Sequence, residues 1–111
     1  MRVLVVEDEF LIGLILEQDL QDAGHEVVGP FRDLPSALTA VDSQRFDIAI
    51  LDVNLNGQLV YPLADKLTER GIRFVLLSGY LERDLPVRFR DVGRLSKPYD
   101  PQALTRLIAE V

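Results

Sequence analysis

The chain has 111 residues, 48 % of them hydrophobic, with 18 acids against 12 bases and a net charge of −6. That length fits one domain with a real core, and the acidic balance argues against bulk binding to nucleic acid or to an anionic membrane. Cysteine is absent and His25 is the only histidine, which excludes disulfides, thiolate metal sites, a Cys nucleophile, a multi-His zinc site and a histidine relay.

Arg2–Val6 (RVLVV) is a short, β-branched apolar run and predicts a buried strand. The longest apolar stretch, Phe10–Leu16, is too short to span a bilayer, and it follows Glu7, Asp8 and Glu9, unlike a secretory signal. The expectation is a cytoplasmic domain that does not enter a membrane. Glu9–Ala23 predicts a helix stopped by Gly24. In it, Ile12, Leu16, Leu20 and Ala23 form a core-facing stripe, with Phe10, Leu11 and Leu14 away from it. Glu26–Gly29 is a weaker second strand. Asp33 reads as an N-cap, with Pro35 in the first turn of a helix running to about Ser43. Phe46–Leu51 predicts a third strand, and Pro62 opens a helix that ends before Gly71. Ile72–Leu77 is a fourth strand, Asp84–Asp91 one or two turns of helix, and Gly93–Ser96 a fifth strand. Pro101–Glu110 closes the chain as a helix capped by Asp100.

Strands alternating with helices predict an α/β domain over residues 1–111, with a parallel sheet, right-handed crossovers and helices on both faces. In an open sheet of this kind ligands bind beyond the carboxyl ends of the strands. Strand one ends in Glu7, Asp8 and Glu9; strand three in Asp52, then Asn54; strand four in Ser78; strand five in Lys97. Glu7, Asp8 and Asp52 repel one another unless a cation sits among them. Hard oxygen ligands suit Mg²⁺ or Mn²⁺. The competing account is ordinary: acids that cap a helix, a turn serine, a solvated surface lysine. Four strand ends carrying acids, Asp, Ser and Lys in that order favour chemistry. Because X–Pro bonds tolerate cis, a cis Lys97–Pro98 bond would turn the lysine inward.

With these residues in these places, nearly the whole chain resembles the receiver domain of two-component response regulators. The resemblance implies a flavodoxin-like five-stranded sheet of order 2-1-3-4-5. It implies that Asp52 is the phosphoacceptor, loaded from a histidine kinase or phosphotransfer protein, and that the domain is a signalling switch limited to self-phosphorylation and slow self-dephosphorylation rather than an enzyme. Asp8 and Asp52 would hold the Mg²⁺ or Mn²⁺, with the backbone carbonyl of Asn54 and with Glu7 through water. Ser78 stands where the family has Thr or Ser, and Lys97 where it has its lysine, followed by Pro98 and an aromatic, Tyr99. Two features depart from the pattern. Arg94 occupies the place of the usual switch aromatic, and the interval from Ser78 to Lys97 is poor in helix signal, which predicts a reduced fourth helix. Val75–Tyr80 (VLLSGY) resembles a subclass whose strand-four motif reads roughly Phe-Ala-Thr-Gly-Gly/Tyr and whose partners are kinases of the HWE type.

The resemblance implies no direct contact with nucleic acid by this domain. The oligomeric state and any output partner stay open. Phe10, Leu11 and Leu14 are expected to receive the kinase, unless Leu104, Leu107 and Ile108 of the last helix cover them. Gly79–Val92 has few apolar anchors and is expected to order on phosphorylation, with Tyr80 either closing over the site or standing as a surface aromatic. The alternative is a small Mg-dependent phosphatase or phosphotransferase of haloacid-dehalogenase type. That chemistry wants a general acid two residues after the nucleophile, where Asn54 stands.

Overall fold

The computed structural model describes residues 1–79 and 85–110. Its main sheet has five strands in the order β2-β1-β3-β6-β7. They are β1 (Arg2–Val6), β2 (Glu26–Phe31), β3 (Ile48–Asp52), β6 (Arg73–Ser78) and β7 (Gly93–Ser96). Every neighbouring pair is parallel. With a small hairpin set aside, this is the 2-1-3-4-5 order of the flavodoxin-like fold.

Alternation along the strands sorts the apolar side chains to two faces. Leu4, Val6, Ala49, Leu51 and Leu76 pack against α2 (Leu34–Ser43) and α3 (Tyr61–Glu69). Val3, Val5, Ile48, Ile50, Val75 and Leu77 pack with Leu16 and Leu20 of α1 (Phe10–Asp22) and with Leu104 and Ile108 of α4 (Pro101–Glu110). The helices therefore cover both faces in pairs. The expected caps are in place. Asp33 accepts a hydrogen bond from Ser36 N (2.8 Å) with Pro35 in the first turn of α2, and Asp100 accepts from Gln102 N (3.0 Å). Gly24 follows α1 with φ 89°. None of the described helices is long and apolar enough to cross a membrane.

Several boundaries move. β2 runs on to Phe31 instead of stopping at Gly29, because an irregularity lets the Phe31 carbonyl accept from Glu7 N at 2.9 Å. β3 starts at Ile48, not Phe46, and continues through Asp52. Ala23 is exposed at the end of α1 and does not join the core stripe; Ile12, Leu16 and Leu20 do, with Gly13 buried beside them.

The sequence reading did not anticipate a hairpin of β4 (Asn54–Leu55) and β5 (Gln58–Leu59). Its turn is Asn56-Gly57, both with positive φ (54° and 92°). Two-residue turns of that hand demand such residues, and Asn-Gly is their strongest signature.

Between β6 and β7 the described residues hold one turn of 3₁₀ helix, Val87–Phe89, in agreement with a reduced fourth helix. The expectation that this interval lacks anchors is corrected for residues 85–92. Phe89 is buried, stacked on Tyr61 (centroids 5.5 Å apart) and edge-on to Phe74. Leu85 and Val92 pack on the same cluster. Arg88 lies over the Phe89 ring and grips Asp65 with two bonds of 2.7 and 3.1 Å. The apolar residues of this short stretch are interrupted by Pro86 and by charges, so the pattern did not single out Phe89 as an anchor. Tyr80 and Asp84 lie outside the described residues, and with them the proposed closure over the site and the start of the expected turn.

Candidate functional site

Four strand ends deliver the site. Asp52 is the last residue of β3 and is 2 % exposed. Its Oδ2 accepts from Lys97 Nζ at 2.9 Å and its Oδ1 from Asn54 N at 3.2 Å. Glu7 follows β1 and is 1 % exposed; its Oε1 accepts from Lys97 Nζ at 3.1 Å and from Glu9 N at 3.2 Å. Asp8 is half-buried, and one carboxylate oxygen from each of Glu7, Asp8 and Asp52 lies within 4.8 Å of the other two. Ser78 ends β6, buried, and its carbonyl accepts from Lys97 N at 3.0 Å. The lysine backbone is thereby tied to the serine, and its ammonium is aimed at two acids. The Lys97–Pro98 peptide bond is cis. With a side chain only 15 % exposed, Lys97 is no solvated surface lysine.

The alternation of a strand end suggests that adjacent acids diverge. Here Glu7 and Asp8 both reach Asp52, because the chain leaves β1 at Val6 and turns. Glu9 is the acid left outside, mostly exposed and 3.5 Å from Lys97 Nζ.

Burial, then the hydrogen bond to Asp8 and the charge on Glu7, push the Asp52 carboxyl up to about 8, against the pull of Lys97. Burial likewise raises Glu7 above the usual carboxylate range although Lys97 opposes it. Burial disfavours the charge on Lys97, yet Asp52 and Glu7 together hold it above the ordinary lysine value. Three acids thus compete for one ammonium, and the Oε2 of Glu7 is buried without a hydrogen-bond partner. Clustered hard oxygens short of positive charge fit a divalent cation such as Mg²⁺ or Mn²⁺.

Asn54 has a second part that the sequence reading missed. Its Oδ1 accepts from Gly57 N at 2.7 Å, tying the hairpin across its turn. Val60 N donates to Val53 O at 2.9 Å, so the adjacent pair Asn54–Leu59 is the one that the ladder leaves unbonded. The Asn54 N–H is then free for Asp52, and the ladder makes no use of its carbonyl. The Asn-Gly pair was the available signal. Tyr99 also acts at a distance. Its hydroxyl donates to Asp19 Oδ2 at 2.6 Å and fastens the Lys97–Pro98 turn to α1. No spacing in the sequence announces that contact.

Beside the site, α1 presents apolar side chains outward. Phe10 and Leu11 are 62 % and 66 % exposed, and Leu14 and Ile15 about half. The last helix does not cover them, because its Leu104 and Ile108 point into the core. His25 lies at the far end of the sheet, with Nδ1 3.2 Å from the Met1 ammonium.

The family profile described as "Response regulator receiver domain" matches residues 3–109. The transcriptional regulatory protein PdtaR of Mycobacterium tuberculosis is 31 % identical over 99 % of this chain and 54 % of its own length. The chain thus spans about half the length of that curated relative. The solution structure of SdrG from Sphingomonas melonis Fr1 superposes with a TM-score of 0.89 at 36 % identity, covering 98 % of this chain and 93 % of that one. The BeF3-activated conformation of SdrG from Pseudomonas melonis Fr1 superposes at 0.83 and 37 %, covering 97 % and 92 %. With the strand order and the four strand ends already in agreement, the profile match across nearly its full length makes this chain a member of the response regulator receiver domain family.

Proposed function

We propose that residues 1–111 work as one phosphoacceptor module in which Asp52 takes a phosphoryl group from a phosphohistidine on a histidine kinase or phosphotransfer protein. The observation that carries this reading is the meeting of Glu7, Asp8 and Asp52 within 4.8 Å, with Lys97 Nζ 2.9 Å from Asp52. An oxygen of Asp52 forms the new bond to phosphorus as the bond to the donor nitrogen breaks, and the imidazole leaves. Such transfer needs in-line positioning and shielding of the phosphoryl oxygens more than covalent help. Lys97 covers one oxygen and the Ser78 hydroxyl donates to another. Asp8, Asp52 and the Asn54 carbonyl would hold Mg²⁺ or Mn²⁺ directly, and Glu7 through water. The ion, when bound, neutralises charge on the remaining phosphoryl oxygen.

The haloacid-dehalogenase alternative loses ground at Asn54, whose side-chain oxygen is committed to Gly57 N and which has no acidic proton to give. The sequence resemblance of Val75–Tyr80 to the strand-four subclass favours a kinase of the HWE type. BeF3 activation of the relative SdrG supports a conformational response to a phosphoryl mimic.

Incubation with acetyl phosphate and Mg²⁺, followed by peptide mass spectrometry, tests this. A phosphoryl adduct is expected on the peptide holding Asp52, and chelation of the metal should abolish it. An adduct elsewhere, or one indifferent to chelator, overturns the reading.

The exposed side of α1 is proposed as the kinase's docking face. Leu14→Asp should slow transfer from the kinase about tenfold or more, the scale of one buried apolar contact, and leave labelling by acetyl phosphate unchanged. Equal loss in both assays would point to a damaged fold.

A further inference from the structure

The turn Asn56-Gly57 carries chemistry of its own. Both residues are exposed. Gly57 has open space around it, with nothing within 4 Å of an added Cβ. A glycine after an asparagine leaves its amide nitrogen unshielded, and that nitrogen is the group that attacks the asparagine side chain in deamidation. In this hairpin, however, the Gly57 N–H is donated to Asn54 Oδ1 at 2.7 Å. That bond engages the proton on the nitrogen and directs it to the Asn54 side chain. We propose that Asn56 is a site of spontaneous deamidation and that the Asn54 side chain holds the reaction back.

The step balances without any added reagent but water. Gly57 N loses its proton to hydroxide and bonds to Cγ of Asn56. The Cγ–Nδ2 bond breaks, and Nδ2 takes a proton from water and leaves as ammonia. Water then opens the succinimide ring at either carbonyl, giving aspartate or isoaspartate at position 56. Isoaspartate lengthens the backbone within a two-residue turn, so the pairing of Leu55 with Gln58 cannot survive in its present register. The hairpin that carries Asn54 then opens. The proposal stands whether or not Asp52 accepts a phosphoryl group.

Asn54 and Asn56 are the chain's two asparagines and share one peptide, so fragment ions that split the peptide between them, and between Asn56 and Gln58, make the assignment. The full chain and its Asn54→Ala, Asn54→Asp and Asn56→Gln variants are held at mildly alkaline pH and sampled by peptide mass spectrometry for the amide-to-acid gain. Asn54→Ala should deamidate at Asn56 about tenfold faster than the parent, the kinetic equivalent of one neutral hydrogen bond. Asn54→Asp keeps an acceptor oxygen, with a charge that holds the proton more firmly, and should deamidate no faster than the parent; Asn56→Gln should show no gain at position 56. Slow exchange of the Val60 amide, bonded to Val53 O, reports whether the hairpin is still closed. If it opens in Asn54→Ala, Asn54→Asp with a closed hairpin decides: a rate at or below the parent's supports the latch and a faster rate overturns it. Equal rates in parent and Asn54→Ala overturn it as well.

Discussion

Asp52→Asn is expected to lose the phosphoryl adduct completely and yet to be the more stable protein. The first effect is chemical, since an amide oxygen is no nucleophile toward phosphorus under these conditions. The second is electrostatic. A carboxyl held at about 8 in the folded chain, against 3.8 as its ordinary value, binds its proton more tightly folded than unfolded. Between those values folding takes up a proton, so stability falls as pH rises through that window. Below it the carboxyl is protonated in both states and the effect vanishes. Asparagine has no charge to bury, keeps an oxygen for Lys97, and does not titrate. Each pKa unit is worth about 1.4 kcal/mol, and Asp52 titrates together with its buried neighbour Glu7, so a gain on the order of 2–3 kcal/mol at pH 8 is expected. Denaturant titrations of the metal-free proteins at acid and mildly alkaline pH would measure it. The difference should shrink when Mg²⁺ is added, because the ion relieves the parent and not the variant. A variant less stable than the parent at every pH would contradict this account of the site. Asp33→Asn is the control: asparagine caps α2 as well as aspartate does, and labelling should be unchanged.

Lys97→Ala should lower the rate of labelling by acetyl phosphate by about 10²–10³-fold, the usual loss on removing one preorganised charge stabiliser. Its ammonium sits 2.9 Å from Asp52 Oδ2 and 3.1 Å from Glu7 Oε1, fixed from behind by the Ser78 carbonyl and the Tyr99–Asp19 bond. It is placed before any phosphoryl group arrives, so no reorganisation is needed at the moment of transfer. Lys97→Arg should recover little, since a planar fork replaces a compact charge in a nearly closed space. The readout is the initial rate of adduct formation by intact mass. A loss of less than about fivefold would show that Lys97 serves the fold and not the transfer.

The elements and the site were legible to different degrees in the sequence, for physical reasons. Arg2–Val6, Gly93–Ser96 and Pro101–Glu110 agree with the structure to the residue; for the first and last the reason is local, a β-branched apolar run and a capped amphipathic helix. The strand ends named Glu7, Asp8, Asp52, Ser78 and Lys97, because in a parallel α/β sheet the order of elements alone says which residues reach one edge.

Three things needed the tertiary structure. Phe89 anchors the segment after β6 through Tyr61 of α3 and Phe74 of β6 itself, contacts that no local pattern in the segment announces. Glu7 turned out to be fully buried and in contact with Lys97, ninety residues away, a depth that the alternation of a strand end does not reveal. The open face of α1 was settled only when Leu104 and Ile108 were seen to point inward. Local backbone preference and apolar periodicity are written along the chain. Burial, charge competition and the choice between two apolar faces arise from residues that only the fold brings together.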